Sequence, residues 1–225
     1  MRKRPAWEGD DYNDIPFNPN DYIFFLSKDG VPYGCFSNAH REPNGGHTSS
    51  SSTASSTTTT TNVADNVKFW CINQELHYQK AILFNDTSIA QQILNEKVDA
   101  TKIKQLGRMV QNYNDDKWCE VRYNVCISAL YSKFSQNVEM KQLLLGTGTK
   151  IIVEAANDTT WGIGCVEYTT TAAATTGEGT NNIVQRGAKK KDTEEWDIGP
   201  TEWKGINLLG RCLMDVRKML SEEQG

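Results

Sequence analysis

At 225 residues, 38% hydrophobic and with a formal net charge of −4, the chain is long enough for one sizeable domain plus decoration, and its charge excludes a globally basic nucleic-acid surface while leaving a narrow basic groove open. The six cysteines (Cys35, Cys71, Cys119, Cys126, Cys165 and Cys212) form no C-x-x-C pair, which excludes a standard zinc framework and points to a reducing compartment. No apolar stretch follows the opening Met-Arg-Lys-Arg-Pro and no run reaches membrane-span length, so the sequence reads as soluble and intracellular, cytoplasmic with a nuclear location open.

Residues 1–20 mix Asp, Asn and Pro without periodicity and read as a flexible arm ahead of one domain spanning 21–225. Tyr22–Leu26 reads as a strand, Ser27–Gly30 as a turn and Val31–Phe36 as its return strand. His47–Thr61 is nearly pure Ser and Thr, a composition that buries too little apolar area to offset chain entropy. An insertion is therefore expected at about 43–66, and a second at about 168–199, where Thr, Ala and Gly give way to Lys189, Lys190 and Lys191. The triple lysine reads as a solvated loop.

Between these tracts the pattern is helical. Gln74–Phe84 carries Leu76, Tyr78 and Lys80; Thr87 or Ser88 can cap a helix with Ile89, Ile93 and Leu94; Asp99 or Thr101 starts a third that stops at Gly107. Asp115 or Asp116 can cap a long helix in which Trp118, Val121, Val125 and Ala129 recur, and Asn137–Leu145 follows it. The last helix is the clearest, with Leu209, Leu213, Val216 and Leu220 on one face. The expected fold is mainly α, a multihelical domain with a small β element near the N-terminus and at Lys150–Val153.

One stretch concentrates chemistry. Ile151–Val153 is a β-branched run suited to a buried strand, and Glu154, Asp158, Trp161, Gly162 and Gly164 follow it. Two carboxylates beside an aromatic face and a glycine-permitted backbone can hold a sugar or a base. They can equally be surface charge, core tryptophan and a turn. His40, His47 and His77 show no ligand-like pairing, so no metal and no cofactor is expected.

Several stretches together resemble the YbiA-like, or NADAR, family. They are Gly34-Cys35-Phe36-Ser37-Asn38, Phe69-Trp70, Tyr78-Gln79-Lys80-Ala81 with Phe84 and Asp86, and Ile103-Lys104-x-Leu106-Gly107-Arg108. Trp118 with Arg122, Lys133-Phe134-x-Gln136-Asn137 and Leu144–Gly148 continue the series. Glu154-Ala155-x-x-Asp158-x-x-Trp161-Gly162-Ile163-Gly164 and Trp203-x-Gly205-x-Asn207-x-Leu209-Gly210-x-x-Leu213-Met214-x-Val216-Arg217 close it. Each piece is weak alone; their order and number carry the resemblance, over about 22–42, 67–165 and 203–220.

The resemblance implies a mainly helical hydrolase of N-glycosidic bonds. Its substrate would be an early intermediate of riboflavin synthesis, or ADP-ribose on the exocyclic amine of guanine, including guanine within nucleic acid. In both, the ribose anomeric carbon is bonded to an exocyclic nitrogen. Such a glycosylamine breaks by displacement assisted by carboxylates, or opens to an imine that a lysine can intercept. The resemblance makes Lys80, Asp158 and Glu154 the expected catalytic groups, Glu154 alternatively pairing with an arginine such as Arg108. Phe36, Asn38, Trp118 and Trp161 would line the site with Gly162 and Gly164, and Asn207 would bind or cap a helix beside it. No membrane association and no obligate protein partner is implied.

One departure matters. The family pattern has a glutamate seven residues before the position of Lys80, where this chain has Asn73, with Glu75 two residues later. If the helix begins after Asn73, the Trp70–Lys80 interval, one residue shorter than the family pattern, swings Glu75 into the site in place of the missing glutamate. If the helix includes Asn73, the seven-residue spacing puts it on the Lys80 face and Glu75 off it. An amide there can bind a ribose hydroxyl but cannot take a proton. The alternative reading is therefore an NAD- or ADP-ribose-binding module with little chemistry, and a third is a helical adaptor.

Overall fold

The computed structural model describes residues 17–49, 67–164, 167–168, 185–186 and 198–223. Its strands are β1 (Tyr22–Phe25), β2 (His47–Thr48), β3 (Lys68–Phe69), β4 (Ile151–Glu154), β5 (Glu167–Tyr168) and β6 (Gln185–Arg186); its helices are α1 (Ile72–Leu83), α2 (Thr87–Asn95), α3 (Ala100–Arg108), α4 (Asp115–Gln136), α5 (Val138–Gly146) and α6 (Leu208–Glu222). The backbone divides into two compact units. One comprises residues 1–26 and 149–211, the other 27–148 and 212–225.

In the first unit β1 and β4 run parallel, with Tyr22 opposite Ile151 and Phe25 opposite Glu154. Both are nearly continuous apolar runs, as a strand covered on both faces requires. Tyr22, Val153, Ala155, Ile163 and Ile198 form the core, with Phe17 and Trp203 packed against it. Phe17 packs its ring 5.1 Å from that of Tyr22 and Asn18 caps a short 3-10 turn at Pro19–Asp21, so residues 17–20 of the expected arm are structured; residues 1–16 lie outside the described residues.

The expected return strand Val31–Phe36 does not form. Tyr33–Phe36 is a 3-10 helix, because the chain turns too tightly for a hairpin: a Cβ at Gly34 would stand 2.6 Å from the Lys28 carbonyl oxygen. The partner of β1 is instead β4, far along the chain.

The second unit is helical. Phe69, Trp70, Tyr78, Ala81, Ile93, Ile103 and Trp118 share one core, and α4 buries Cys126, Ala129, Leu130 and Phe134 along one face. Burying an aliphatic side chain such as Leu130 contributes roughly 1.5–3 kcal/mol. The capping groups differ from expectation. Asp86, not Thr87 or Ser88, caps α2 by accepting the Ile89 N–H, and Asn114, not Asp115 or Asp116, caps α4 by accepting the Lys117 N–H. Asp115 and Asp116 fall in the first turn, where their charge complements the helix dipole. Asp99 caps α3.

Residues 43–49 of the first expected insertion are structured. Pro43–Gly45 form a 3-10 turn, β2 pairs antiparallel with β3, and His47 is wholly buried. A Ser/Thr-rich composition does not reveal that His47 finds partners distant in sequence. Residues 50–66 lie outside the described residues. So does most of 168–199, although β5 pairs antiparallel with β6 and Ile198 is buried. No helix among the described residues is long and apolar enough to cross a membrane.

Candidate functional site

In the first unit the residues after β4 fold into a tight loop. The Asp158 Oδ1 accepts the N–H groups of Thr160 and Trp161, each at 2.8 Å. Asp158 is exposed while Glu154 and Trp161 are half-buried. Gly162 is required by packing, since a Cβ there would lie 2.8 Å from the Ala156 carbonyl oxygen and 2.9 Å from that of Glu154. Gly164 adopts φ +66, a left-handed conformation that favours glycine.

Asn207 proves to be a clamp on β4. It is fully buried at φ 50; its Nδ2 donates to the Ile152 carbonyl at 2.8 Å and its Oδ1 accepts the Glu154 N–H at 3.0 Å. Its own carbonyl accepts the Arg211 N–H, beginning α6. With its amide spent on backbone, Asn207 positions β4 and does not face a ligand. Gly210 completes the cradle, because a Cβ there would stand 2.1 Å from the Ile152 oxygen.

The second unit holds the other expected residues. Asn73 lies inside α1, which starts at Ile72, and its N–H donates to the Asn38 carbonyl at 2.8 Å. Both side chains are buried, Asn38 at 7% and Asn73 at 5% exposure. The Asn38 Oδ1 and the Asn73 Nδ2 nonetheless have no hydrogen-bond partner among the described residues. Phe36 does not line an opening. It has no exposed surface, stacks on Tyr33 and meets Phe134 edge-on, because the 3-10 helix turns it inward. Trp118 is likewise part of the helical core.

Glu75, a candidate for the site, has both carboxylate oxygens engaged by side chains. Its Oε2 accepts from His47 Nε2 at 2.6 Å and its Oε1 from Ser49 Oγ at 2.8 Å. On the other side of the ring, His47 Nδ1 lies 2.8 Å and 2.9 Å from the two oxygens of Glu42. Burial alone would push the imidazole down, but the hydrogen bonds from Glu42 and Glu75 outweigh it and raise His47 to about 9. Sequence reasoning placed His47 in a disordered tract and missed this group entirely.

Lys80 is half-buried. Its Nζ donates to the Gly107 carbonyl at 2.8 Å and lies 4.1 Å from the centre of the Tyr113 ring. Burial lowers its pKa, opposed by Asp115. His77, pushed down to about 4 by burial and then by Lys80, Lys104 and Arg108, packs its ring against Gly107, where a Cβ would come within 2.1 Å of Nδ1. Arg108 ends α3 and is exposed.

Lys133 is a second group the sequence reading did not single out. It is fully buried and its Nζ donates to the Cys35 carbonyl at 2.6 Å. Burial lowers its pKa, opposed by Glu42. The available signal was phase: Lys133 stands on the stripe of Cys126, Ala129 and Leu130, where an apolar residue is expected.

Fold and site define a mainly helical domain of the YbiA type. The solution structure of YbiA from Escherichia coli superposes with a TM-score of 0.58 over 90% of this chain and 86% of that one, at 22% identity. The NADAR domain pattern matches residues 24–221, and the chain belongs to that family. It is 30% identical over 187 residues to an N-glycosidase of Acanthamoeba polyphaga mimivirus, covering 83% of this chain and 95% of that protein. It is also 30% identical over 161 residues to the protein irg-1 of Caenorhabditis elegans, covering 70% of this chain and 64% of that one. A riboflavin biosynthesis protein of Vibrio vulnificus matches at 30% over 95 residues, 42% of this chain and 26% of that protein. These relatives support a glycosidase-like function.

Proposed function

We infer that the protein is an N-glycosidase that hydrolyses the bond between a ribose anomeric carbon and an exocyclic amine, with an ADP-ribosylated guanine or a ribosylamino-pyrimidine as substrate. The observation that carries this reading is the pair of unpartnered amides at Asn38 and Asn73. Leaving a buried polar atom unpaired costs roughly 1–3 kcal/mol. An acceptor on Asn38 and a donor on Asn73, on backbones joined by the Asn73 N–H to Asn38 carbonyl bond, suit a cis-diol, whose hydroxyls each donate and accept.

The family pattern makes Asp158 the candidate acid or base for the leaving nitrogen. Exposure keeps its carboxyl reachable, and only Oδ1 is engaged by described residues. Water adds to the anomeric carbon as the C–N bond breaks, and the proton passed to the nitrogen releases the free amine and the sugar. In the imine route the Lys80 amine adds to the ring-opened anomeric carbon, and a proton passes from Lys80 to the exocyclic nitrogen, which leaves as the free amine. Water then hydrolyses the lysine imine to sugar and free Lys80. Burial favours the neutral amine that this requires.

A second reading has its own support. Asn73 brings an amide to a position where the family pattern has a carboxylate, which suits an ADP-ribose-binding module with little turnover. Incubation with ADP-ribosylated guanosine and with the ribosylamino-pyrimidine phosphate, following free sugar, separates the two. Turnover supports the enzyme, binding without turnover the module, and neither overturns both.

A further inference from the structure

The two unpartnered amides belong to different segments of the helical unit. Asn38 is in the loop after the 3-10 helix Tyr33–Phe36, and Asn73 is in the first turn of α1. Four residues after Asn38 comes Glu42; two after Asn73 comes Glu75. A single ring, His47, takes both carboxylates, one on each nitrogen. We propose that His47 is a positioning residue for ligand recognition: held between Glu42 and Glu75, it fixes the separation of the Asn38 and Asn73 amides.

This rests on the reading of those amides as ribose ligands. His47, Glu42 and Glu75 are at most 3% exposed, so water does not substitute for any member. Between two carboxylates, a ring that donates from both nitrogens is an imidazolium. Lys133 on α4 supplies the buried cation coupled to Glu42. The remaining polar group on the cluster is Ser49 Oγ, on Glu75. From β3, Phe69 presents its ring at 6.1 Å and Lys68 reaches away to the Asn44 carbonyl. Because the links at Glu42 and Glu75 are charge-assisted, they are stiffer than the neutral contact between the Asn73 N–H and the Asn38 carbonyl.

A purely structural anchor for this strap also exists, which makes a control available. The Thr48 N–H and carbonyl pair reciprocally with the Gln136 side-chain amide at 2.9 Å and 2.8 Å. The test compares wild type, His47→Gln and Gln136→Ala in the full chain by ADP-ribose affinity and by hydrogen-exchange protection of the Asn73 amide. His47→Gln should lower both at least about 10-fold, as expected for losing a charge-assisted hydrogen bond, while Leu130 in α4 keeps its protection. Gln136→Ala should change both by less than about two-fold, on the scale of a neutral exposed pair.

Wild-type affinity should also fall as pH rises above the His47 transition, a step absent from His47→Gln. A folded His47→Gln with unchanged Asn73 protection and affinity overturns the proposal, as does an identical pH step in the two proteins. If wild type binds no ADP-ribose, the ribose reading of the amides fails, and Asn73 protection alone decides the positioning role. If His47→Gln does not fold, Glu42→Gln and the wild-type pH series give the same readouts.

Discussion

Asn207→Ala should destabilise the protein by about 4 kcal/mol. The substitution leaves the Ile152 carbonyl and the Glu154 N–H without the partners they have at 2.8 Å and 3.0 Å. Each buried orphan costs roughly 1–3 kcal/mol, and Glu154 sits at the lower end because water reaches it in part. Alanine held at the left-handed φ of 50 that Asn207 occupies adds roughly 1 kcal/mol, since asparagine tolerates that region better. Urea denaturation followed by tryptophan fluorescence measures the difference. Asn207→Asp supplies a sharper diagnostic. Its ionised form can still accept the Glu154 N–H but sets an oxygen against the Ile152 carbonyl, which only the protonated acid can satisfy. The folded pKa is therefore raised above the unfolded value, and the deficit shrinks as pH falls toward about 4. A loss below about 1 kcal/mol for Asn207→Ala, or a pH-independent Asn207→Asp, refutes the clamp.

Asp158→Asn should cut turnover on the order of 100-fold while the thermal midpoint holds, because an amide oxygen still accepts from Thr160 and Trp161; undiminished turnover at saturating substrate removes Asp158 from the chemistry. Lys80→Ala should abolish covalent trapping of the sugar by borohydride, and failure to trap on wild type favours direct displacement. Asn73→Glu should raise the rate of a slow enzyme by restoring a proton acceptor, as single-turnover kinetics would report; a slower variant shows that the amide itself is needed. His47, raised from 6.5 to about 9, stabilises the fold fully below pH 6.5 and loses that contribution as pH rises through 9. The amount is about 3 kcal/mol at 1.36 kcal/mol per unit, and a urea midpoint that falls no more in wild type than in His47→Gln contradicts it.

The helices were legible where periodicity acts alone. Leu209, Leu213, Val216 and Leu220 lie on one face of α6, and all four are buried. Helical phase puts Asn73 and Glu75 on different faces once α1 includes both, and Glu75 meets His47. What escaped depends on distance along the chain. The pairing of Tyr22 with Ile151 leaves no local trace beyond two apolar runs, and Gly34 forced the turn that removed the nearer partner. His47 looked like part of a Ser/Thr tract because its meaning lies in Glu42 and Glu75. Asn207 and Gly210 read as motif letters until the Ile152 carbonyl gave them a shared purpose.

The parallel pairing of β1 with β4 also sets a timetable for synthesis. The strand Tyr22–Phe25 leaves the ribosome roughly 130 residues before its partner, a wait of about 6–25 s at 5–20 residues per second. During that interval α1 through α5 are complete and can nucleate on local contacts, while an aromatic β1 has no edge to join. The apolar run Tyr22–Phe25 therefore waits without its partner until Ile151–Glu154 is made, and slower translation between the two lengthens that wait.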